Sequence, residues 1–186
     1  MKMTIRIGTF NLYQFVEPPY SWYTKKERFT PLQWIEKTTW IKEQITNMNC
    51  DIIGFQEVFS KLALKELVGD LGIKYFKTVD NEKKKKNNDK IYTSTTVALA
   101  SKYPIKNLKK VDIDFLALKK HYYEGFFKFA REPIKATICL EDEKELDVYV
   151  CHLKSNRDNE FEYIFTENSS MDEKIEKVSK ALKENY

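Results

Sequence analysis

Three segments of alternating apolar and polar residues each end in a side chain that can take part in chemistry, and this pattern limits the folds open to the chain. The segments are Thr4 to Asn11, Asp51 to Glu57 and Asp147 to His152. Because side chains alternate across a strand, the apolar residues of each segment share one face with its last polar residue. If those faces line the core, Asn11, Glu57 and His152 emerge where the core opens. An amide, a carboxylate and an imidazole gathered there suggest a hydrolytic or metal site.

The length and composition of the chain are those of one folded domain. Its 186 residues are enough for a hydrophobic core, and no internal repeat or linker rich in proline, glycine or serine divides them. Hydrophobic residues make up 42% and charged residues 32% of the chain. No apolar run approaches the length of a membrane span, so no span is expected. The chain begins without the apolar region of a signal peptide, so none is expected either.

The charge of the chain is close to balance. Its formal net charge of +4 comes from 32 cationic and 28 anionic residues, and such a balance does not identify a nucleic-acid-binding protein. The dense cationic run from Lys83 to Lys86, with polar residues on both sides, is typical of a mobile, solvated loop. The alternative is a loop that attracts phosphate groups toward a nearby site, since lysines attract polyanions without specific contacts.

The cysteines favour a reducing compartment. They are three in number and lack the Cys-x-x-Cys spacing of a zinc site. Cys139 and Cys151 fall in neighbouring predicted strands, where their thiols can approach each other, but buried free thiols are the simpler explanation. The sequence therefore favours a cytoplasmic protein, with secretion left open.

Helix signals occur early in the chain. Thr30 and Gln33 form a capping box with Pro31 at the first helical position, and apolar residues at helical spacing predict a helix from 31 to about 48. A second apolar stripe predicts a helix over Lys61–Leu71, which Gly72 ends.

Strand signals dominate the later part of the chain. Strands are predicted at Lys74–Val79, Tyr92–Ser101, Lys109–Phe115, Phe126–Arg131, Pro133–Leu140 and Glu145–Leu153. Ser170 and Glu173 form another capping box, which predicts a closing helix. Antiparallel hairpins after a strand-helix-strand section predict a mixed α/β fold.

Five blocks of the sequence follow the order found in one superfamily. They are Thr9-Phe10-Asn11, Gly54-Phe55-Gln56-Glu57-Val58, Val97-Ala98-Leu99-Ala100-Ser101-Lys102-Tyr103-Pro104-Ile105, Phe129-Ala130-Arg131-Glu132-Pro133 and Cys151-His152-Leu153-Lys154-Ser155. In these blocks the chain resembles the endonuclease/exonuclease/phosphatase superfamily, which includes pancreatic-type deoxyribonucleases, abasic-site endonucleases, bacterial sphingomyelinases and inositol polyphosphate phosphatases. The resemblance implies the deoxyribonuclease-like four-layer fold, an α/β sandwich of two mixed sheets flanked by helices.

Two later blocks of that superfamily have no match in this sequence. Its members place a Gly-Asp-x-Asn block after the His-bearing strand and end with a Ser-Asp-His block, which supply a metal and water site and a catalytic histidine. Neither block follows Arg157. The resemblance therefore implies one domain, residues 1–186, that is incomplete at its carboxyl end, and it puts catalysis by these residues alone in doubt.

The resemblance also implies roles for the residues that match its blocks. Glu57 is implied to bind Mg²⁺ or Mn²⁺, because hard carboxylate oxygens suit these cations. Asn11 is implied to orient phosphate or metal-bound water, and His152 to act as an acid or hydrogen-bond donor at the scissile phosphate. Arg131 is implied to lie near the phosphate, although a guanidinium suits a structural carboxylate equally well. Lys154 follows closely and would add a cationic contact at the rim of the pocket.

The predicted function is that of a magnesium-dependent phosphoesterase of the nuclease or phosphatase type, acting on phosphodiester or phosphomonoester bonds and inactive as this isolated segment. The alternative is a non-catalytic binding or assembly module that retains part of the scaffold. The substrate is a phosphate ester, with nucleic acid, phospholipid head group and inositol phosphate all open. Because strands expected opposite apolar rows such as Val97/Leu99 are missing, we also expect self-association or a carboxyl-terminal partner segment.

Overall fold

The protein is described from a computed structural model, which covers residues 4–121, 127–153 and 170–185. Internal contacts divide the chain into two compact units, Met1–Leu153 and Lys154–Tyr186. None of the described helices is long and apolar enough to cross a membrane.

The described part of the first unit contains three helices and ten strands. The helices are α1 (Pro31–Met48), α2 (Lys61–Asp70) and α3 (Phe115–Lys120). The strands are β1 (Ile7–Phe15), β2 (Ser21–Trp22), β3 (Ile52–Val58), β4 (Tyr75–Lys77), β5 (Lys83–Lys85), β6 (Asn88–Ser94), β7 (Thr96–Ser101), β8 (Ile105–Lys110), β9 (Ile134–Cys139) and β10 (Glu145–Val150).

The second unit contains helix α4 (Met171–Asn185). Its start is the predicted capping box: the Glu173 N–H donates to Ser170 Oγ at 3.2 Å, and the Ser170 N–H donates to Glu173 Oε2 at 3.0 Å. These two bonds satisfy backbone donors that a helix leaves open at its amino end.

Three sheets organise the first unit. The largest has the strand order β1-β3-β7-β4, the second has β10-β9-β8, and a small one has β2-β6-β5. Strands β1 and β3 are parallel and flank α1 in the sequence, whereas β3 pairs with β7, and β9 with both its neighbours, in antiparallel fashion. This arrangement confirms the predicted mixed α/β class with two larger sheets.

Each face of the large sheet is covered by a different layer. On one face, Ile53 and Phe55 of β3 pack with Ile41 of α1 and Leu64 of α2. On the other face, alternate residues of β3 and β7 pack against the β8–β10 sheet. The fully buried residues of this second core are Ile52, Val97, Leu99, Ile134, Ala136 and Ile138. The described residues therefore form a helical layer and two stacked sheets.

This burial changes one expectation. The apolar rows Ile53/Phe55 and Val97/Leu99 are fully buried, because helices cover the first row and strands β8–β10 already cover the second. Ile7 of β1 is the exception, since its side chain is 57% exposed at the free edge of the large sheet. Among these rows, the β1 row with Ile7 still offers an apolar surface for association.

Two predicted strands are wrong in part. Where a strand was predicted over Lys109–Phe115, β8 ends at Lys110 and α3 begins at Phe115. Asp114 favours a helix over a strand at this point, because its side-chain oxygen accepts the Ala117 N–H at 2.9 Å and caps the helix. Of the predicted strand Phe126–Arg131, the first residue lies outside the described residues and the others are not in a strand.

The predicted mobile loop at Lys83–Lys86 is also wrong, because its first three residues form strand β5, paired with β6 in a hairpin. The Nζ of Lys84 lies 4.4 Å from the centroid of the Tyr20 ring and 5.0 Å from that of Tyr92. An ammonium above aromatic faces is stabilised by the ring quadrupoles. A cationic run is therefore compatible with a strand where aromatic rings lie beneath one of its lysines.

Candidate functional site

Glu57 lies at an irregular point of the large sheet. Between β1 and β3 the pairing passes from Asn11↔Gln56 to Phe15↔Val58, so that three residues of β1 lie opposite Glu57. The β3–β7 pairing is interrupted at the same place. Glu57 has a left-handed backbone with φ of 60°, which residues with a Cβ atom rarely adopt. Such bulges redirect a side chain at the end of a strand.

The redirected carboxylate of Glu57 is held by β1. The Asn11 side-chain amide donates to Glu57 Oε1 at 3.2 Å, and the Gln14 N–H donates to Oε2 at 2.9 Å. The Asn11 carbonyl oxygen in turn accepts the Tyr13 N–H at 2.9 Å. Each carboxylate oxygen accepts one of these bonds and keeps capacity for another partner.

His152 follows the end of β10 and faces the same carboxylate. Its Nε2 lies 3.9 Å from Glu57 Oε1. Its Nδ1 is buried and has no hydrogen-bond partner among the described residues. Burial lowers the pKa of His152 from its usual 6.5, the charge of Arg131 lowers it further, and the charge of Glu57 opposes both. The imidazole is therefore neutral at pH 7 and has an unused nitrogen.

Arg131 lies near this group, between α3 and β9. Its charge reaches His152 strongly enough to lower the histidine pKa. The residue is half-buried, and no carboxylate of the described residues lies within ion-pair distance of it. A half-buried guanidinium without a carboxylate partner is suited to an anionic ligand.

The structure thus brings together Asn11, Glu57 and His152, with Arg131 close to the histidine. The fifth residue of the expected site, Lys154, lies outside the described residues. His121, which matched no block, is exposed. The expected grouping of Asn11, Glu57 and His152 is therefore seen, although Asn11 lies within β1 and not at its end, and the roles of these residues stay predictions.

Sequence reasoning missed Lys37. Its Nζ donates to the carbonyl oxygen of Tyr13 at 2.8 Å, and burial lowers its pKa while the charge of Glu57 opposes that shift. The sequence does contain a signal, because Lys37 follows Trp34 by three residues and precedes Ile41 by four. That spacing puts a lysine on the apolar stripe of α1.

Glu57 is the residue that could serve a divalent cation as a single protein ligand. Magnesium is commonly held by one or two carboxylates together with water and phosphate oxygens, and Glu57 offers one carboxylate at an accessible strand end. Among residues 4–121, 127–153 and 170–185, no three His, Cys, Asp or Glu side chains cluster to form a fuller site.

Several solved structures are similar to this chain. The chain is similar in structure to endonuclease/exonuclease/phosphatase proteins. One is the endonuclease/exonuclease/phosphatase from Beutenbergia cavernae DSM 12333, with 14% sequence identity and a TM-score of 0.49, covering 80% of this chain and 38% of that one. Another is the human Nocturnin catalytic domain with bound sulfate, with 20% identity and a TM-score of 0.47, covering 70% of this chain and 47% of that one.

The chain therefore spans less than half the length of either solved structure. The likeness concerns the arrangement of helices and strands, and it assigns neither an activity nor a residue. No family model and no curated protein matches the sequence.

Proposed function

We propose that the chain carries part of a magnesium-dependent phosphoesterase site of the endonuclease/exonuclease/phosphatase type. The observation that carries the proposal is that Asn11 and His152, from distant parts of the chain, both approach the Glu57 carboxylate. The Asn11 amide nitrogen lies 3.2 Å and His152 Nε2 lies 3.9 Å from Glu57 Oε1. Phosphoester hydrolysis needs charge neutralisation, an oriented phosphate and a proton for the leaving oxygen. Each of these needs matches one of the gathered groups.

Glu57 would hold Mg²⁺ or Mn²⁺, which when bound supplies positive charge against the phosphate oxygens. Asn11 fixes the Glu57 carboxylate through one amide hydrogen and retains a second donor that can reach a phosphate oxygen. Arg131 would bind the phosphate with its planar fork of donors. His152 is uncharged near neutral pH and would hold or pass a proton at Nε2, the nitrogen that faces the Glu57 carboxylate.

The proposal covers the hydrolysis of phosphodiester or phosphomonoester bonds in nucleic acid, phospholipid head groups or inositol phosphates. It places the protein in the cytoplasm, and all three cysteines are free thiols, as a reducing compartment requires. It also includes weak self-association, for which the exposed edge of β1 is the available surface.

We further propose that these 186 residues turn over phosphate esters negligibly by themselves. A single carboxylate neither holds magnesium firmly nor activates water at the same time. The second candidate function, a non-catalytic binding or assembly module, is favoured by the lack of a three-residue acidic or histidine cluster among the described residues. Both functions share the phosphate site, and they differ in turnover.

The experiment measures the binding of inorganic phosphate by calorimetry with and without magnesium, and the hydrolysis of bis-p-nitrophenyl phosphate. We expect weak phosphate binding that magnesium strengthens and that Arg131→Met abolishes. Lys135→Met is the matched control, because this half-buried lysine pairs with Asp147 on the β8–β10 sheet. Equal phosphate binding by the wild type and Arg131→Met would refute the phosphate site. Substantial magnesium-dependent turnover, lost in His152→Ala, would show that the described residues suffice for catalysis.

A further inference from the structure

Three residues with left-handed backbones surround one carboxylate. Tyr13 and Gln14 have φ angles of 48° and 59°, and Glu57 has φ of 60°. None of them is glycine or asparagine, the residues that tolerate this conformation most readily. Strained backbone of this kind persists only where the surrounding structure fixes it. The contacts that fix Tyr13 and Gln14 therefore determine where the Gln14 N–H holds the Glu57 carboxylate.

The main contact of this kind comes from α1. The Lys37 ammonium donates its 2.8 Å hydrogen bond to the carbonyl oxygen of Tyr13, the group that joins the two left-handed residues. The same ammonium lies 5.7 Å from the centroid of the Tyr13 ring and 5.0 Å from that of Phe29. The Phe29 ring and helix α1 thus hold Lys37 in place from outside the Tyr13–Gln14 turn.

We propose that Lys37 is a positioning residue for Glu57: by fixing the left-handed Tyr13–Gln14 turn, it sets the orientation of the carboxylate that would bind the metal. The chain of contacts runs from the Lys37 ammonium to the Tyr13 carbonyl, through the peptide to the Gln14 N–H, and from there to Glu57 Oε2 at 2.9 Å. This inference rests on the proposed role of Glu57 as a metal ligand. A partner that orients a ligand in this way typically affects metal affinity strongly.

The sign of the change in metal affinity distinguishes positioning from charge. If Lys37 acted only as a positive charge near Glu57, its removal would strengthen cation binding, because a repulsive charge would be gone. If it positions Glu57, its removal weakens cation binding by about tenfold or more, as loss of an orienting partner does. The two explanations therefore predict opposite results for the same variant.

The experiment compares Mg²⁺ affinity, by calorimetry of the full chain, in the wild type, Lys37→Met, Lys37→Gln and Lys37→Arg. We expect weaker binding in the Met and Gln variants and near-wild-type binding in the Arg variant, since a guanidinium can donate to the same carbonyl. Lys42→Met is the matched control, because Lys42 lies on the same helix and pairs with Asp70. Unchanged or stronger binding in Lys37→Met would overturn the proposal.

A second readout follows the turn itself without metal. In the wild type, Glu57→Gln should move the amide proton resonance of Gln14, because that N–H loses a charged acceptor. In the Lys37→Met background the same substitution should leave the Gln14 resonance nearly unmoved. Equal movement in both backgrounds would refute the positioning role. If the wild type binds no magnesium while the Gln14 amide responds as expected, the metal role of Glu57 fails and the positioning role of Lys37 stands.

Discussion

Asn11 donates a 3.2 Å hydrogen bond to Glu57, although the residue opposite Asn11 across the β1–β3 pair is Gln56. In a regular parallel pair, Glu57 would lie with Ile53 and Phe55 on the face that α1 and α2 cover. The bulges at Glu57 and at residues 12–14 turn its carboxylate away from that face. The site therefore depends on backbone irregularity as much as on residue type, and changes that regularise the ladder should separate these two side chains.

Replacing Glu57 with glutamine should reduce Mg²⁺ affinity by more than about tenfold. Loss of a residue that only orients a metal ligand can already cost about tenfold, and Glu57 is the proposed ligand itself. The amide keeps the size of the side chain but lacks the negative charge that attracts a hard cation. Wild-type binding should itself be weak, because one carboxylate and water make a poor magnesium site. Calorimetric titration of both proteins measures the difference.

The matched control for this measurement is Glu145→Gln. Glu145 is an exposed carboxylate on β10 that pairs with Lys106, so its loss should leave magnesium affinity unchanged. Equal magnesium binding by the wild type and Glu57→Gln would remove Glu57 from the metal role.

The sequence predicted the elements whose signals are local. Helix α1 spans Pro31–Met48 as expected, because the Thr30 and Gln33 capping box forms at its start and apolar spacing continues to its end. The strands that carry Asn11 and Glu57 were likewise evident from alternation and from the family resemblance, although β1 continues past the predicted end at Asn11 to Phe15.

The local geometry of the site could not be predicted in the same way. Left-handed backbone is usually signalled by glycine or asparagine, and Tyr13, Gln14 and Glu57 give no such signal. Their conformation is fixed by contacts with distant residues, such as the bond from Lys37 to the Tyr13 carbonyl. Tertiary contacts of this kind leave no periodic pattern in the sequence.

His152 should titrate below the usual histidine range, and its neighbours should move its pKa in opposite directions. Arg131→Met should raise the His152 pKa, because it removes a positive charge that disfavours the imidazolium. Glu57→Gln should lower the His152 pKa, because it removes a negative charge that favours the imidazolium. Nuclear magnetic resonance in metal-free buffer measures this directly. The chain has two histidines, and His121→Gln identifies the resonance of His152.

The same shift makes stability depend on pH. Because the folded chain disfavours the charged imidazole, the unfolded chain binds a proton more readily, and stability falls as the pH drops from 6.5 toward the lower folded pKa of His152. Urea unfolding at several pH values should show that His152→Gln loses part of this dependence. A wild-type His152 pKa at or above 6.5 would contradict the burial seen for this residue.

Leu99→Ala should destabilise the first unit by about 2 to 5 kcal/mol, the range for a buried leucine truncated in a well-packed core. Leu99 is fully buried between the large sheet and the β8–β10 sheet. Leu116→Ala is the control, because Leu116 is 82% exposed on α3 and its loss should change the free energy of unfolding by less than about 0.5 kcal/mol. A similar small effect at Leu99 in urea denaturation would mean that the two sheets do not pack as described.

The free edge of β1 should allow weak self-association. Among the described residues, this strand pairs with β3 and lies at the end of its sheet, and Ile7 presents an exposed apolar side chain there. A second copy can pair with this edge about a two-fold axis. Ile7→Lys should abolish the association, because a charged side chain on an edge strand opposes strand pairing, whereas Leu116→Lys should leave it intact. Sedimentation velocity over a concentration series measures both, and association that survives Ile7→Lys unchanged would place the contact elsewhere.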